Sequence, residues 1–469
     1  MRLRLLFVCL ICYCALSVTS NDIVADKSIR KAGNEILINY SIDLKGDTLF
    51  VPRGGRLIFS GGGHIDNGTV IGDKSGLQIK QDTPAFGLNV NICGDWRVRD
   101  IYDRWFEFDS DSTFVSNDII KNILSLANDD YKNYIHLEED RIYHFELRYT
   151  GRPDVWNAVS TRTERGKTVK NYDDVYYSES FSSFRIFIIP SNTHVTINNT
   201  LKMRPTDAGA YFVFWEYRKK NVSIDGEGSI IGDCKEHLYN RNKSGKYTYS
   251  GEWGIIFRCF GCRNFSFKDI TISNAHGDAI GFGGSKIEND ARNRISKGLV
   301  IDNVKIKYAR RNGISLGSTN VLVKNCLFEG CGADEIYGTA PRSAIDFETN
   351  LVKYFPEVGN RNVRVKNCTF INNKHDISST NNNLESFGRI ATTVKNCRFT
   401  APIRFNTTYW IEFRNCYIKS FTNRLDQISE DTPFGHIVFK NCTIESLPSV
   451  IKSESWHNRF VRCNIISEI

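Results

Sequence analysis

VLVKNCLF (321–328), VRVKNCTF (363–370) and TTVKNCRF (392–399) are three copies of one pattern, and reading that pattern decides the fold. Each is a short run of alternating apolar and polar residues, rich in β-branched and aromatic side chains, so each reads as strand. An Asn interrupts each run. Asn tolerates left-handed backbone and bonds locally, which marks a tight bend. Looser copies flank these three: FSFKDITI (265–272), LVIDNVKI (299–306), IEFRNCYI (411–418), IVFKNCTI (437–444) and a degenerate RFVRCNII (459–466). Successive copies start 19 to 42 residues apart. Repetition at such a period specifies a solenoid.

Stacked coils lie ~4.8 Å apart. The Asn side chains are therefore expected to bond to one another along the axis, and the Cys that follow them to form an interior column. That spacing brings cysteines close, but side chains projecting in parallel do not present the Cβ geometry a disulfide needs. Mostly reduced, buried thiols are expected. The apparent glycosylation sequons at Asn367 and Asn441 are read as bend positions.

The remaining composition sets bounds. The chain has 469 residues, 41% of them hydrophobic, which suits a sizeable core and not a disordered chain. Its opening, MRLRLLFVCLICYCALSVTS (1–20), has Arg2 and Arg4 before an apolar run too short to span a bilayer comfortably, then Val18 and Ser20 at cleavage-site spacing. It reads as an export signal, with an uncleaved anchor as the alternative. The protein is expected to be exported: periplasmic, cell-surface or secreted. No later stretch is long enough to be transmembrane.

The formal charge of +8 is mild for this length and fits a solvated Lys-rich surface. Nucleic acid is not an expected partner, since no recognition motif is present. Three of the 14 cysteines fall in the leader. CFGC (259–262) has no second ligand pair at zinc spacing, so a local disulfide is a better reading there than a metal site. Oligomeric state is not legible.

The x-V-K-N-C-x-F repeats with their Asn bends resemble the right-handed parallel β-helix of the pectate-lyase-like superfamily, of the exported bacterial type. Two further stretches carry the resemblance. GDTLFVPRGGRLIFSGGGHIDNGTVIGD (46–73) looks like the entry coils of such proteins. NDIIKNILSLANDDYKNYIHLEEDRIYHF (117–145) looks like the short helix and strand that precede the main solenoid. The implied organisation is N-terminal coils or a cap over 21–95, a helix and long loop over 96–185 (including TRTERGKTVKNYDDVYYSES, 161–180), and the main β-helix over 186–469. The superfamily hosts lyases, hydrolases, epimerases, esterases and non-catalytic adhesins, so the fold alone does not fix a reaction.

In that family each coil has three strands, and the outward face of the first carries the active site. HGDAIGFGG (276–284), RRNGISLGS (310–318), RSAIDFETN (342–350) and KHDISSTNN (374–382) are the matching segments. Alternation places Ile280, Ile314, Ile345 and Ile377 inward. It places Ala279, Gly281, Gly283, Gly313, Ser315, Gly317, Ala344, Asp346, Glu348, Asp376, Ser378 and Thr380 outward, as an open shelf of small residues beside acids. Asp346 and Glu348 share one strand face, roughly 6.5–7 Å apart. They are the candidate catalytic pair, with Asp278 as a third carboxylate.

Candidate substrate-binding residues are His276, Arg310, Arg311, Asn312, Arg342 and His375 at the shelf edge. Trp253, beside Glu252, is either a sugar-stacking platform or core. The plainer readings are a solvated acidic face, Asp278 as a turn residue, His276 as structural, and Arg310 and Arg311 as ion-pair partners. GTAPRSAIDFETN also looks like a G-x-x-P-x-x-G-I-D-I-E-P-N segment of exported bacterial β-helix proteins, with Ala344, Phe347 and Thr349 departing from it.

The first expectation is acid/base glycoside hydrolysis of a polysaccharide or oligosaccharide, with no cofactor. The polygalacturonase pattern of Asn-Thr-Asp, Asp-Asp, Gly-His-Gly and Arg-Ile-Lys is missing, so that specific activity is not implied. The alternatives are a calcium-dependent lyase, in which the carboxylates hold Ca²⁺ and an Arg takes the proton, and a glycan-binding or surface-structural β-helix without catalysis.

Overall fold

The computed structural model describes residues 30–111, 113–147, 160–164, 167–171, 185–208, 210–239, 253–285, 294–348, 360–380, 388–405, 408–422, 434–452 and 456–468. The leader, Glu252, Thr349 and Asn350 lie outside the described residues, as does the side chain of Trp253. No helix among the described residues is long and apolar enough to cross a membrane. Two compact units are present, one running to Arg97 and including Trp105–Glu107, the other made of Val98–Arg104 and the chain from Phe108.

In the first unit the Gly-rich stretch forms the strands Thr48–Val51, Arg56–Phe59 and His64–Asp66 and the long strand Gly68–Ile79, which pairs in parallel with Val90–Trp96. Alternation buries Leu49, Val51, Leu57, Phe59 and Val70. Phe86 packs between Phe59 and Phe106, with ring centroids 5.0 and 5.3 Å away.

The second unit winds three sheets of 12, 11 and 9 strands, parallel except for Arg294–Ile295, which pairs antiparallel with Ile280–Ser285. Each repeat motif supplies one strand of the 12-stranded sheet, a left-handed bend (Asp269 in the first copy, Arg462 in the last, Asn in the others), and one strand of the 11-stranded sheet. Thr319–Lys324 and Leu327–Glu329 flank Asn325 and pair in register with Arg361–Lys366 and Thr369–Ile371 of the next coil. The sheets begin ahead of residue 186. Asp100–Tyr102 and Asn133–Leu137 already belong to the 12-stranded sheet, and Ile142–Phe145 to the 11-stranded one.

The bends behave as their sequence predicts. Asn325, Asn367, Asn396, Asn415 and Asn441 all have φ between 51° and 57°. Their amides bond coil to coil: Asn441 to Asn415 at 3.2 Å, Asn415 to Asn396 at 3.1 Å, Asn396 to Asn367 at 3.1 Å and Asn367 to Asn325 at 3.3 Å. A second ladder, Asn264 to Asn221 to Asn192, runs at 3.0 and 2.7 Å.

Behind the first ladder Cys326, Cys368, Cys397, Cys416 and Cys442 are buried free thiols. Each points at the carbonyl two residues earlier, as Cys326 does to Lys324 at 3.0 Å. That contact gives a weak donor a partner inside the coil. Cys259 and Cys262 are also free, so the local disulfide does not form. The Phe of the motif stacks next to them, with Phe370 5.1 Å from Phe328 and 4.9 Å from Phe399.

The expected helix is Asn117–Ser125, burying Ile119, Ile120 and Ile123. A one-turn helix, Ser449–Lys452, was not legible in the sequence. The stretch expected as a long loop contains an antiparallel pair, Ser160–Glu164 with Lys167–Asn171. Its β-branched Thr161, Thr163, Thr168 and Val169 favour extended backbone, and Gly166 stands between the two strands.

Candidate active site

The nine-stranded sheet carries the four segments singled out above. Its strands Trp253–Phe260, Ile280–Ser285, Asn312–Leu316, Ser343–Glu348, His375–Thr380 and Ile403–Phe405 pair in sequence order. Phe257, Ile280, Ile314, Ile345, Ile377 and Ile403 form one inward column. On the opposite face Arg258, Gly281, Ser315, Asp346, Ser378 and Arg404 form one continuous row in the same register.

The residue before each inward Ile departs from strict alternation. A Cβ on Gly313 would lie 3.1 Å from Phe328 and 3.2 Å from the Cys331 thiol, both core groups. Asp376 accepts hydrogen bonds from Asn373 Nδ2 at 3.0 Å and from the Ala401 amide at 2.8 Å, inside the coil. Gly313 and Asp376 therefore turn inward and do not join the shelf; Ala279 and Ala344 at the same position are fully buried. Conversely, Asn312 Nδ2 donates to Ser315 Oγ, three residues on, at 3.0 Å. The ladder keeps constant register from Asn312↔Ser343 to Leu316↔Phe347, so the departure lies where the chain enters each strand, and side-chain bonds place Asp278 and Asn312 beside Ser315 and Asp346.

That face is a connected polar cluster (Arg311, Asp278, Ser315, Asn312, Asp346, Glu348). Arg311 clamps both oxygens of Asp278 at 3.1 and 2.8 Å and lies 3.6 Å from Glu348. Ser315 Oγ donates to Asp278 Oδ2 at 2.7 Å. Asn312 Nδ2 also reaches Asp346 Oδ2, at the long distance of 3.5 Å. Its Oδ1 accepts from the Ser343 amide and hydroxyl at 3.1 Å, which fixes the orientation of the Asn312 side chain.

The expected open shelf is closed. Asp346 is 2% exposed and Asp278 1%, whereas the Glu348 side chain keeps 26% of its surface. Gly281 lies under the arm of Arg258, whose guanidinium would sit 2.5 Å from a Cβ at 281, and Gly317 is packed against the Glu348 carbonyl. Only at Gly283 would an added Cβ meet open space. Burial pushes the Asp346 carboxyl well above the usual carboxylate range; Glu348 and then Asp278 push the same way, and Arg311 opposes them. A carboxyl in that setting keeps its proton where an exposed one would lose it.

The other expected residues divide. Arg311 and Asn312 belong to the cluster. Arg310, 1% exposed, instead braces the backbone, donating to the carbonyls of His276 and Tyr337 and to Thr339 Oγ1 at 3.2 Å. Arg342 closes the 332–342 loop through the Gly332 and Asp334 carbonyls, both at 2.7 Å. His375 Nδ1 meets the Pro341 and Arg342 carbonyls at 3.1 and 3.2 Å, and burial lowers its basicity. His276 is fully buried and stacks on His237, at a centroid distance of 3.7 Å. Arg258 and Arg404 were missed by the sequence reading. Their only signal is register: each occupies the row position of Asp346, three coils before and two coils after it.

The winding defines the class: the second unit is a parallel β-helix. The family model for the right-handed β-helix region matches residues 253–403, which carry the cluster. YclG of Bacillus subtilis strain 168, a protein described as uncharacterized, is 30% identical over 207 residues, 43% of this chain; the match spans about a third of that relative's length (33%). Among solved structures, the exopolygalacturonase of Thermotoga maritima is 12% identical, with 75% of this chain and 82% of that one covered and a TM-score of 0.41. The Streptococcus pneumoniae adhesin PfbA is 11% identical, with 93% and 91% covered and a TM-score of 0.31.

Proposed function

We propose that the protein is an exported carbohydrate-active enzyme that cleaves a polysaccharide by acid/base hydrolysis at this face. One observation carries the reading. Asp346 is a buried carboxyl that resists ionisation, and two residues along the same strand face stands the more exposed carboxylate of Glu348. Hydrolysis of a glycosidic bond needs such an unequal pair, one acid and one base. The strand repeat separates the two by roughly 6.5–7 Å, at the short end of the 6.5–9.5 Å of inverting pairs. Asp346 donates the proton to the leaving oxygen, and Glu348, still wetted, activates water. Asp278 and Arg311 hold the charge balance beside them. The runner-up, a calcium-dependent lyase, would require calcium to displace Arg311 from Asp278 and Glu348. A second reading is binding without cleavage: at 2% exposure Asp346 offers a ligand little surface until a neighbouring side chain moves.

The test is a panel of purified polysaccharides with the wild-type protein, Asp346→Asn and Glu348→Gln, with and without chelator. Hydrolysis predicts new reducing ends, no ultraviolet-absorbing unsaturated product, no chelator effect, and losses on the order of 10²–10⁴-fold in each variant. Unsaturated products would assign a lyase. Glycan retention without any shortening would leave a binding protein.

A further inference from the structure

The outward face of the 12-stranded sheet carries a feature that the candidate cluster does not use. In Arg361–Lys366 and Thr392–Lys395, alternation buries Val363, Val365 and Val394 and sends Arg364, Lys366 and Lys395 outward. Ile411–Arg414 and Val438–Lys440 do the same for Arg414 and Lys440. Register then stacks Lys324, Lys366, Lys395, Arg414 and Lys440 on one another in five consecutive coils. Coils lie ~4.8 Å apart, so the row runs for roughly 19 Å. Like charges placed directly opposite one another destabilise a sheet. Acids relieve that repulsion at the two ends of the row. Asp302 pairs with Lys324 at 2.7 Å, and Glu412 with Arg414 and Lys440 at 2.6 Å each. In the middle, Lys366 and Lys395 have no ion-pair partner among the described residues, and Lys395 is exposed. The exposed Arg364 beside them meets a neutral partner, Asn362 Oδ1, at 3.3 Å. The ladder of bend amides flanks the row. Asn367 and Asn396 each give one Nδ2 hydrogen to the ladder, which leaves the second for an outside acceptor.

We propose that this row, centred on Lys366 and Lys395, binds a linear acidic polysaccharide with a carboxylate on every sugar. The proposal rests on the carbohydrate reading above, and not on cleavage by Asp346 and Glu348. The coil spacing is close to the length of one pyranose unit in an extended chain. A polymer laid along the axis therefore brings successive carboxylates to successive coils. Its charges relieve the repulsion between Lys366 and Lys395, and its hydroxyls accept from the flanking Asn amides. A nucleic-acid strand matches less well, with a phosphate every ~3.4 Å. A lipid surface spreads its charge over an area, whereas Asp302 and Glu412 confine the uncompensated charge here to the middle of one line. The row lies on a different sheet from Asp346, so it retains the polymer and does not cleave it.

The test is binding by the full chain carrying Asp346→Asn, which removes the proposed acid and keeps the probes intact. Retardation in gels containing polygalacturonate, hyaluronate or dextran gives the affinities. The expected order is polygalacturonate, charged on every sugar, then hyaluronate, charged on alternate sugars, with dextran unbound. Raising salt from ~50 to ~200 mM should weaken polygalacturonate binding about tenfold if two charges are neutralised. Adding Lys366→Gln/Lys395→Gln should weaken it by about tenfold or more, with no fall in melting temperature, because a repulsion has been removed. Adding Lys121→Gln/Lys305→Gln instead removes the same charge from two exposed lysines off the row and should keep the affinity within about threefold. Equal affinity in the two sets of variants overturns the proposal. So does dextran bound as strongly as polygalacturonate, insensitivity to salt, or a lower melting temperature in the row variant. Tighter binding to phosphatidylglycerol vesicles or to single-stranded DNA than to polygalacturonate overturns it too. Row-dependent binding, together with a wild type that shortens no polymer, supports this surface and removes the hydrolysis reading alone. New reducing ends from a wild type whose binding ignores the row do the reverse.

Discussion

Replacing Arg311 with Met keeps most of the buried stem and removes the charge. In the native cluster the guanidinium supplies two bonds to Asp278, the approach to Glu348, and a bond from Nε to the Ala340 carbonyl at 3.1 Å. Arg311 is 9% exposed and Asp278 1%, so water cannot take over. Asp278 would be left as a buried carboxylate with the Ser315 hydroxyl as its named donor. Breaking a buried pair from one side costs about 3–5 kcal/mol. Asp278→Asn alone should cost less, about 1–3 kcal/mol, because Glu348 and the Ala340 carbonyl still engage the guanidinium. The double variant carries no stranded charge, so its loss should fall short of the sum by about 1–3 kcal/mol. Urea unfolding gives these differences, and hydrogen exchange in 280–285 and 312–316 localises them, which matters in a solenoid whose coils can open in sections. Strict additivity, or a loss below about 1 kcal/mol for Arg311→Met, would refute the view that this pair is mutually compensating.

Three further outcomes are expected. The folded state holds a proton on Asp346 at pH values where the unfolded chain has released it. Wild-type stability should therefore fall relative to Asp346→Asn as pH rises above ~4, by at most ~1.4 kcal/mol per pH unit; melting temperatures against pH check this, and a gap that widens toward acid would contradict it. Asn396→Ala breaks two ladder bonds and removes the polar side chain that makes φ 55° tolerable, so it should cost about 1–2 kcal/mol, with Asn396→Gly recovering part of the loss by denaturant titration. A thiol reagent should label the half-buried Cys93 and Cys463 quickly and the other described cysteines only on unfolding, which a mass-spectrometric time course would show.

The winding was legible because its signal is local and repeated. Each V-K-N-C-x-F copy states a strand, a left-handed bend and a second strand within eight residues, and neighbouring copies agree. The candidate face was half legible. Ile280, Ile314, Ile345 and Ile377 anchored the alternation, which placed Ser315, Asp346 and Glu348 together. The backbone at the entry to each strand leaves no compositional mark, yet there Gly313 and Asp376 face the core while Asp278 and Asn312 join the cluster. Asp346 is surrounded by side chains from other coils, such as Asn312 and Arg311, and period-two reasoning on one strand cannot see them. Arg310 and Arg342 looked like ligand groups because the alternation set them at the shelf edge; in the structure both donate to backbone carbonyls.

The in-register row from Arg258 to Arg404 works as a graduated ruler. Its divisions are single coils, about 4.8 Å each, and the chain inserted between coils does not alter them. Moving an acid one coil along the row changes its reach by a whole division, while moving it two residues along a strand changes the reach by roughly 6.5–7 Å. Distances between side chains on this surface therefore come in discrete increments. Divergence in what such a protein does to its ligand can proceed by relocating one side chain between graduations, with the backbone left untouched.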